Sequence, residues 1–114
     1  MAEDCIFCKI GQGEIPSELL YRDDKVFVIR DINPRAPSHF LVIPFEHVIY
    51  LASFTQDSEA LLGHLVLVAK GLAQREGLMD NGYRLVINQG SDSGQEVPHL
   101  HLHVLGGRRL GAMG

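Results

Sequence analysis

The stretch Pro98-His99-Leu100-His101-Leu102-His103-Val104-Leu105 places three of the chain's six histidines at alternate positions, with large apolar residues between them. An extended strand has a side-chain period of two, so the three imidazoles leave one face while Leu100, Leu102 and Val104 pack behind them. Imidazole titrates near neutrality and can serve as nucleophile, proton carrier or metal ligand. Spacing limits the sharing of roles. On a straight strand same-face neighbours stand roughly 6.6 Å apart, and metal–nitrogen bonds of about 2 Å let one ion bridge two of these histidines but not all three. At least one histidine must therefore do something different from the others.

Working outward, the loop Gln89-Gly90-Ser91-Asp92-Ser93-Gly94-Gln95-Glu96-Val97 precedes the histidines. Its glycines allow successive backbone amides to turn toward a bound anion. A phosphate held beside an imidazole nucleophile would make a phosphoryl-transfer site. Upstream, Tyr83 to Asn88 reads as a strand after the turn at Asn81-Gly82. Leu61, Leu62, Leu65, Val66, Val68, Ala69, Leu72 and Ala73 recur at helical spacing, with Thr55 or Asp57 as candidate caps and Gly77 as the stop. His64, inside that helix, is expected to be a satisfied structural group rather than a ligand. Further strands are expected at Leu19 to Tyr21, Val26 to Ile29 and His39 to Pro44, and a short helix near Ile6 to Ile10. The expected fold is α+β: one domain over residues 1–114, an antiparallel five-stranded sheet with one long and one short helix.

Composition narrows the function classes. The chain has 114 residues, a formal charge of -4 and no Lys/Arg cluster beyond Arg108-Arg109, which argues against a nucleic-acid partner and for a small ligand. No apolar run is long enough for a membrane span and the N-terminus is acidic, so a soluble cytoplasmic protein is expected. Cys5 and Cys8 form Cys-x-x-Cys without a preceding strand, a pattern that suits metal binding better than a thioredoxin-like redox site.

His99-x-His101-x-His103 with apolar intervening residues, followed by Gly106-Gly107-Arg108, resembles the signature of the histidine triad family, and within it the Hint branch of nucleotide-binding phosphoramidases. The resemblance extends through Ile6-Phe7, Glu14-Ile15-Pro16, Asp31-Ile32-Asn33-Pro34, His39 to Pro44, Leu61 to Leu65 and Asn88 to Gln95. It implies a nucleoside 5'-phosphoramidate substrate cleaved at the P–N bond through a nucleotidyl-histidine. His101 would be the nucleophile, His103 the proton donor and His39 a supporting histidine. Asp31 would hold the ribose, with Ile32 beside it. Asn88, Gly94, Gln95, Glu96 and Val97 would surround the phosphate, and Ile6, Phe7, Ile10, Ile15 and Ile29 would wall a purine base. Cys5 and Cys8 resemble half of a structural zinc site that His47 and His99 would complete, with no metal required for catalysis. A homodimer is also implied, formed by the long helix and a central strand across a two-fold axis.

The chain departs from the family in two places. Glu96 stands where relatives often carry Ser or Thr, so its amide rather than its side chain is expected to face the phosphate. The C-terminus, Leu110 to Gly114, lacks the Trp of some relatives. Three alternatives remain open on sequence grounds: a diadenosine polyphosphate hydrolase of the same family, a zinc-binding interaction protein with little catalysis, and a metalloenzyme using His99 and His101 as ligands.

Overall fold

The computed structural model describes residues 4–114. A short helix, α1 (Ile6–Gly11), is followed by strands β1 (Tyr21–Arg22), β2 (Val26–Arg30) and β3 (Ser38–Pro44), the long helix α2 (Glu59–Arg75), and strands β4 (Tyr83–Val86) and β5 (Leu102–Gly106). The five strands form one antiparallel sheet in the order β1-β2-β3-β5-β4. The last strand thus inserts between β3 and β4, in the interior of the sheet.

Alternation along the strands divides the interior into two layers. Val26, Val28, Phe40, Val42, Leu102 and Val104 pack against Leu65, Val68, Ala69, Leu72 and Ala73 of α2. On the opposite face, Phe27, Ile29, Leu41 and Ile43 pack against Cys5, Phe7 and Cys8 of the α1 segment. Phe27, Phe40 and Ile43 are wholly buried, and truncating a buried Phe to Ala costs about 3 to 5 kcal/mol. α2 covers most of one face, leaving Leu85 of the edge strand β4 exposed. The six-residue α1 covers only part of the other, which leaves the β3–β5 region open for a ligand.

Helix and loop ends follow their local chemistry. Thr55 caps a single 3-10 turn over Gln56–Ser58 through its side chain, and α2 proper begins at Glu59. It closes with Gly77 N–H on the Gln74 carbonyl and Leu78 N–H on Ala73, and Leu78 is buried in the core. His64 is satisfied, as its sequence context suggested: Nε2 lies 2.6 Å from Asp23 Oδ2. At Gly107, φ is +95° and a Cβ would stand 2.9 Å from Pro37 Cβ, so the turn out of β5 requires glycine.

Three expectations need correction. The histidine segment is not one strand, because β5 begins only at Leu102. The β3–β5 ladder ends at Val42 opposite Leu102, and two residues further along β3, at the next position that would donate toward β5, stands Pro44, which has no N–H. His99 and Leu100 instead bend away, with Leu100 N–H on the Val48 carbonyl at 2.6 Å. β4 ends at Val86 rather than Asn88, since β5 has left the sheet opposite its last residues. β1 is Tyr21–Arg22 rather than Leu19 to Tyr21.

Candidate active site and metal cluster

The bend at His99 separates the three histidines into two clusters. In the first, Cys5 Sγ and His99 Nδ1 are 3.2 Å apart, Cys8 Sγ and His47 Nδ1 3.2 Å, Cys8 Sγ and His99 Nδ1 3.6 Å, and the two Nδ1 atoms 3.2 Å. Tetrahedral coordination with zinc-type bond lengths requires about 3.3 Å between nitrogens and about 3.6 Å between nitrogen and sulfur. The four donors fit such an ion. The local fold assembles them, since Cys5 caps α1 and Cys8 lies one turn on, while His47 follows the end of β3. His99 Nε2 donates to the Pro44 carbonyl at 2.8 Å, which fixes Nδ1 as the unprotonated atom facing the thiols. Burial, ahead of any neighbour, pushes His99 down to about 4, so the ring is neutral as a ligand must be. Four protein donors leave no open coordination position.

The second cluster is Asp31, His39 and His103, with His101 alongside. The register sets it up: His39 faces Leu105 and Leu41 faces His103 on β3–β5, so His39 and His103 are diagonal neighbours on one face. Arg35 N–H donates to His39 Nδ1 at 3.1 Å. The proton of His39 must then sit on Nε2, which donates to His103 Nδ1 at 2.9 Å, with Asp31 Oδ2 also 3.4 Å away. His103 consequently carries its own proton on Nε2. His101 Nδ1 lies 2.6 Å from the His99 carbonyl oxygen and donates to it, so the His101 lone pair is on Nε2. Burial pushes His39 and His101 down and lowers His103 to about 4, leaving all three neutral at pH 7.

Ring geometry distinguishes the two clusters. The nitrogens are closer in the His39–His103 pair than in the His47–His99 pair, 2.9 against 3.2 Å, yet its ring centroids are farther apart, 5.2 against 4.9 Å. His39 and His103 therefore meet head-on, as a shared proton requires. His47 and His99 converge at an angle toward a point beside them, as a shared ion requires. His101 belongs to neither group of donors close enough to share an ion among the described residues, so the metalloenzyme alternative with His99 and His101 as ligands lacks a site there.

A cavity of 540 Å³ opens in front of the second cluster. His39, His101 and His103 line it together with Asp31, Ile32, Asn88, Gly94, Glu96 and Val97, and its apolar part is formed by Ile6, Phe7, Ile10 and Ile29. Phe7 stands edge-on to both His99 and His101, at 5.8 and 5.1 Å between centroids, and so separates the Cys/His cluster from the cavity. Two sequence-predicted residues lie outside the lining. Ile15 is half-buried beyond α1, and the Gln95 side chain braces the loop, accepting from Gly90 N–H at 2.8 Å and donating to the Val97 carbonyl at 3.3 Å. The Glu96 side chain is 80% exposed and 3.4 Å from Arg35, in keeping with an outward carboxylate. Gly94 adopts φ +84°, which lets the loop turn back toward the histidines. Ser93, from the glycine-rich loop, also lines the cavity, as do Arg35, Arg84, Val86 and Met113, which carried no sequence signal for the site because single residues in loops, edge strands and tails have no periodicity.

Comparison with known proteins agrees with this geometry. Over 113 residues the chain is 46% identical to the purine nucleoside phosphoramidase of Escherichia coli, covering 99% of this chain and 95% of that protein. A histidine triad protein from Clostridium difficile superposes with a TM-score of 0.93 at 42% identity, covering 100% of this chain and 99% of the other. A HIT family hydrolase from Legionella pneumophila gives 0.90 at 49% identity, covering 93% and 95%. The HIT domain model matches residues 12–110, which takes in His39, His47 and all three alternating histidines but not Cys5 or Cys8. With that span of sequence and this fold, the chain belongs to the HIT domain family.

Proposed function

We propose that the protein hydrolyses purine nucleoside 5'-phosphoramidates to the nucleoside monophosphate and a free amine, through a nucleotide covalently held on His101. The observation that carries this reading is the protonation pattern: an unprotonated His101 Nε2 and a protonated His103 Nε2 on one cavity wall. The base packs against Ile6, Phe7, Ile10 and Ile29, and Asp31 accepts from the ribose hydroxyls. Asn88 and the Gly94 to Val97 loop surround the phosphate.

In the first step His101 Nε2 forms a bond to phosphorus as the P–N bond to the amine breaks. His103 Nε2–H passes its proton to the departing nitrogen, which leaves poorly as an anion. The proton count balances because the complex takes up one proton. The phosphate's negative charge opposes the burial that keeps His103 neutral in the free protein, and Asp31 lies close to the pair. Once P–Nε2 has formed, the His101 ring is cationic and its Nδ1–H bond to the His99 carbonyl strengthens. In the second step water attacks phosphorus, His103 Nε2 takes the water's proton, and neutral His101 leaves.

Cys5, Cys8, His47 and His99 hold zinc in this reading, a closed structural site that ties α1 to the segment carrying His101. Such a bound ion supplies cohesion between the two, while the reaction runs on the histidines alone. Buried cysteines that form no disulfide also suit a reducing, cytoplasmic setting, and no helix among the described residues is long and apolar enough to cross a membrane. A homodimer is supported by the open edge of β4 and by exposed Val66 and Leu67 on α2, 46% and 65% accessible. Incubation with adenosine 5'-phosphoramidate tests the activity: release of AMP that is lost in His101→Ala is expected, and undiminished release by that variant would refute the assignment.

A further inference from the structure

Arg35 and Glu96 reach each other across the mouth of the cavity, one from the β2–β3 loop and the other from the loop before the histidines. Their charged ends are 3.4 Å apart, with side chains 75% and 80% exposed. A pair so open to water is weak and exchanges readily for other partners. Its backbone anchors are firmer. Arg35 N–H is fixed on His39 Nδ1, and the Arg35 carbonyl accepts from the Arg108 guanidinium at 2.8 Å. The Arg35 charge acts on His39 and His103, the histidine that protonates the leaving nitrogen, whereas the Glu96 charge acts on His101.

Resting on the phosphoramidase reading, we propose that Arg35 determines leaving-group specificity by binding a carboxylate carried on the departing amine, with the Glu96 carboxylate as its exchangeable stand-in when the cavity is empty. The base occupies the apolar end of the cavity, so the amine must project toward the mouth, where Arg35 and Glu96 meet. The partner that Arg35 already holds is a carboxylate, and its planar fork binds that group with two parallel hydrogen bonds. Substrate entry releases Glu96 to solvent, where its exposure shows there is room, and an incoming carboxylate takes its place. The favoured leaving groups are accordingly amines bearing a nearby carboxylate, the chemistry of an amino acid, over their neutral esters.

The test uses two substrates that differ only in that charge: adenosine 5'-phosphoramidates of alanine with a free carboxylate and of alanine methyl ester. In Arg35→Gln the acid-to-ester ratio of kcat/KM should fall about tenfold, and in Glu96→Gln, which removes the competitor, it should rise. Both shifts should shrink as salt is raised. A ratio unchanged within twofold in Arg35→Gln, or an equal loss on both substrates, overturns the proposal. So does a larger loss on diadenosine tetraphosphate than on the acid, which would assign the guanidinium to phosphate. Calorimetric Kd values for the same two compounds on the His101→Ala protein, with and without Arg35→Gln, give the ratio independently of turnover. Absence of turnover in the unsubstituted protein would count against the phosphoramidase reading, while the Kd ratio would still decide the role of Arg35.

Discussion

The two histidine clusters are built from the same side chain on the same face of the molecule, yet they present opposite chemistry. At the Cys5/Cys8/His47/His99 cluster both rings turn lone pairs toward a common point and have thiols for neighbours. At the Asp31/His39/His103 cluster one ring hands a proton to the other, and His101 beside it keeps a lone pair for the cavity. The difference originates in the backbone partners of three of the rings. Pro44 O fixes His99, Arg35 N–H fixes His39 and His99 O fixes His101, so these three tautomers are set by main-chain atoms, and that of His103 follows from His39. A histidine's role here is decided by which of its two nitrogens the backbone occupies.

The largest expected effect comes from the lone pair on the reactive side. His101→Ala should lower kcat by at least about 10⁴-fold while leaving the metal content at one ion per chain. That would show the two clusters to be separable, whereas concurrent metal loss would show they are one unit. Next is the metal side. Cys8→Ser should abolish stoichiometric zinc by elemental analysis and lower Tm by on the order of 10 °C, corresponding to roughly 2 kcal/mol in a domain this small. An unchanged Tm would mean that the thiols do not anchor α1.

Much of this division was legible in the sequence, and the part that was not has identifiable causes. Period-two alternation placed the three imidazoles on one face, and helical spacing located α2, because both patterns extend over several turns or pleats. The bend at His99 was invisible, since it depends on Pro44 standing opposite Leu100, a register that links positions 56 residues apart. His39 and Asp31 were found only through resemblance, for nothing local marks a histidine as a diagonal partner of another strand. Arg35 was missed altogether. It is one exposed cation in a loop, and only the closed fold brings it to Glu96 and the cavity.

A smaller effect would sharpen the reactive side. His39→Gln retains a donor toward His103 Nδ1 and should cost about tenfold in kcat, whereas His39→Leu should cost about a hundredfold or more. Equal losses would make His39 a packing group only. The smallest effect concerns pH. Burial lowers the pKa values of His39 and His103, the latter to about 4, against an unfolded value of about 6.5. Between pH 6.5 and about 4 the unfolded chain binds protons that the folded chain refuses, so stability should decline as pH falls through that window. Urea titrations at pH 7.5 and 5.0 should show a lower midpoint at pH 5.0, and His103→Asn should reduce the difference.

The central claim is that His101, and neither of its two neighbours in the alternating set, becomes covalently bonded to phosphorus. Rapid mixing with adenosine 5'-phosphoramidate, quenching in base and peptide mass analysis should find an adenylyl group on His101, accumulated within one turnover. Because two in-line displacements occur, a substrate chiral at phosphorus should give product with retained configuration. An adduct on His103 or His99, or turnover with inverted configuration and no adduct, would contradict the account.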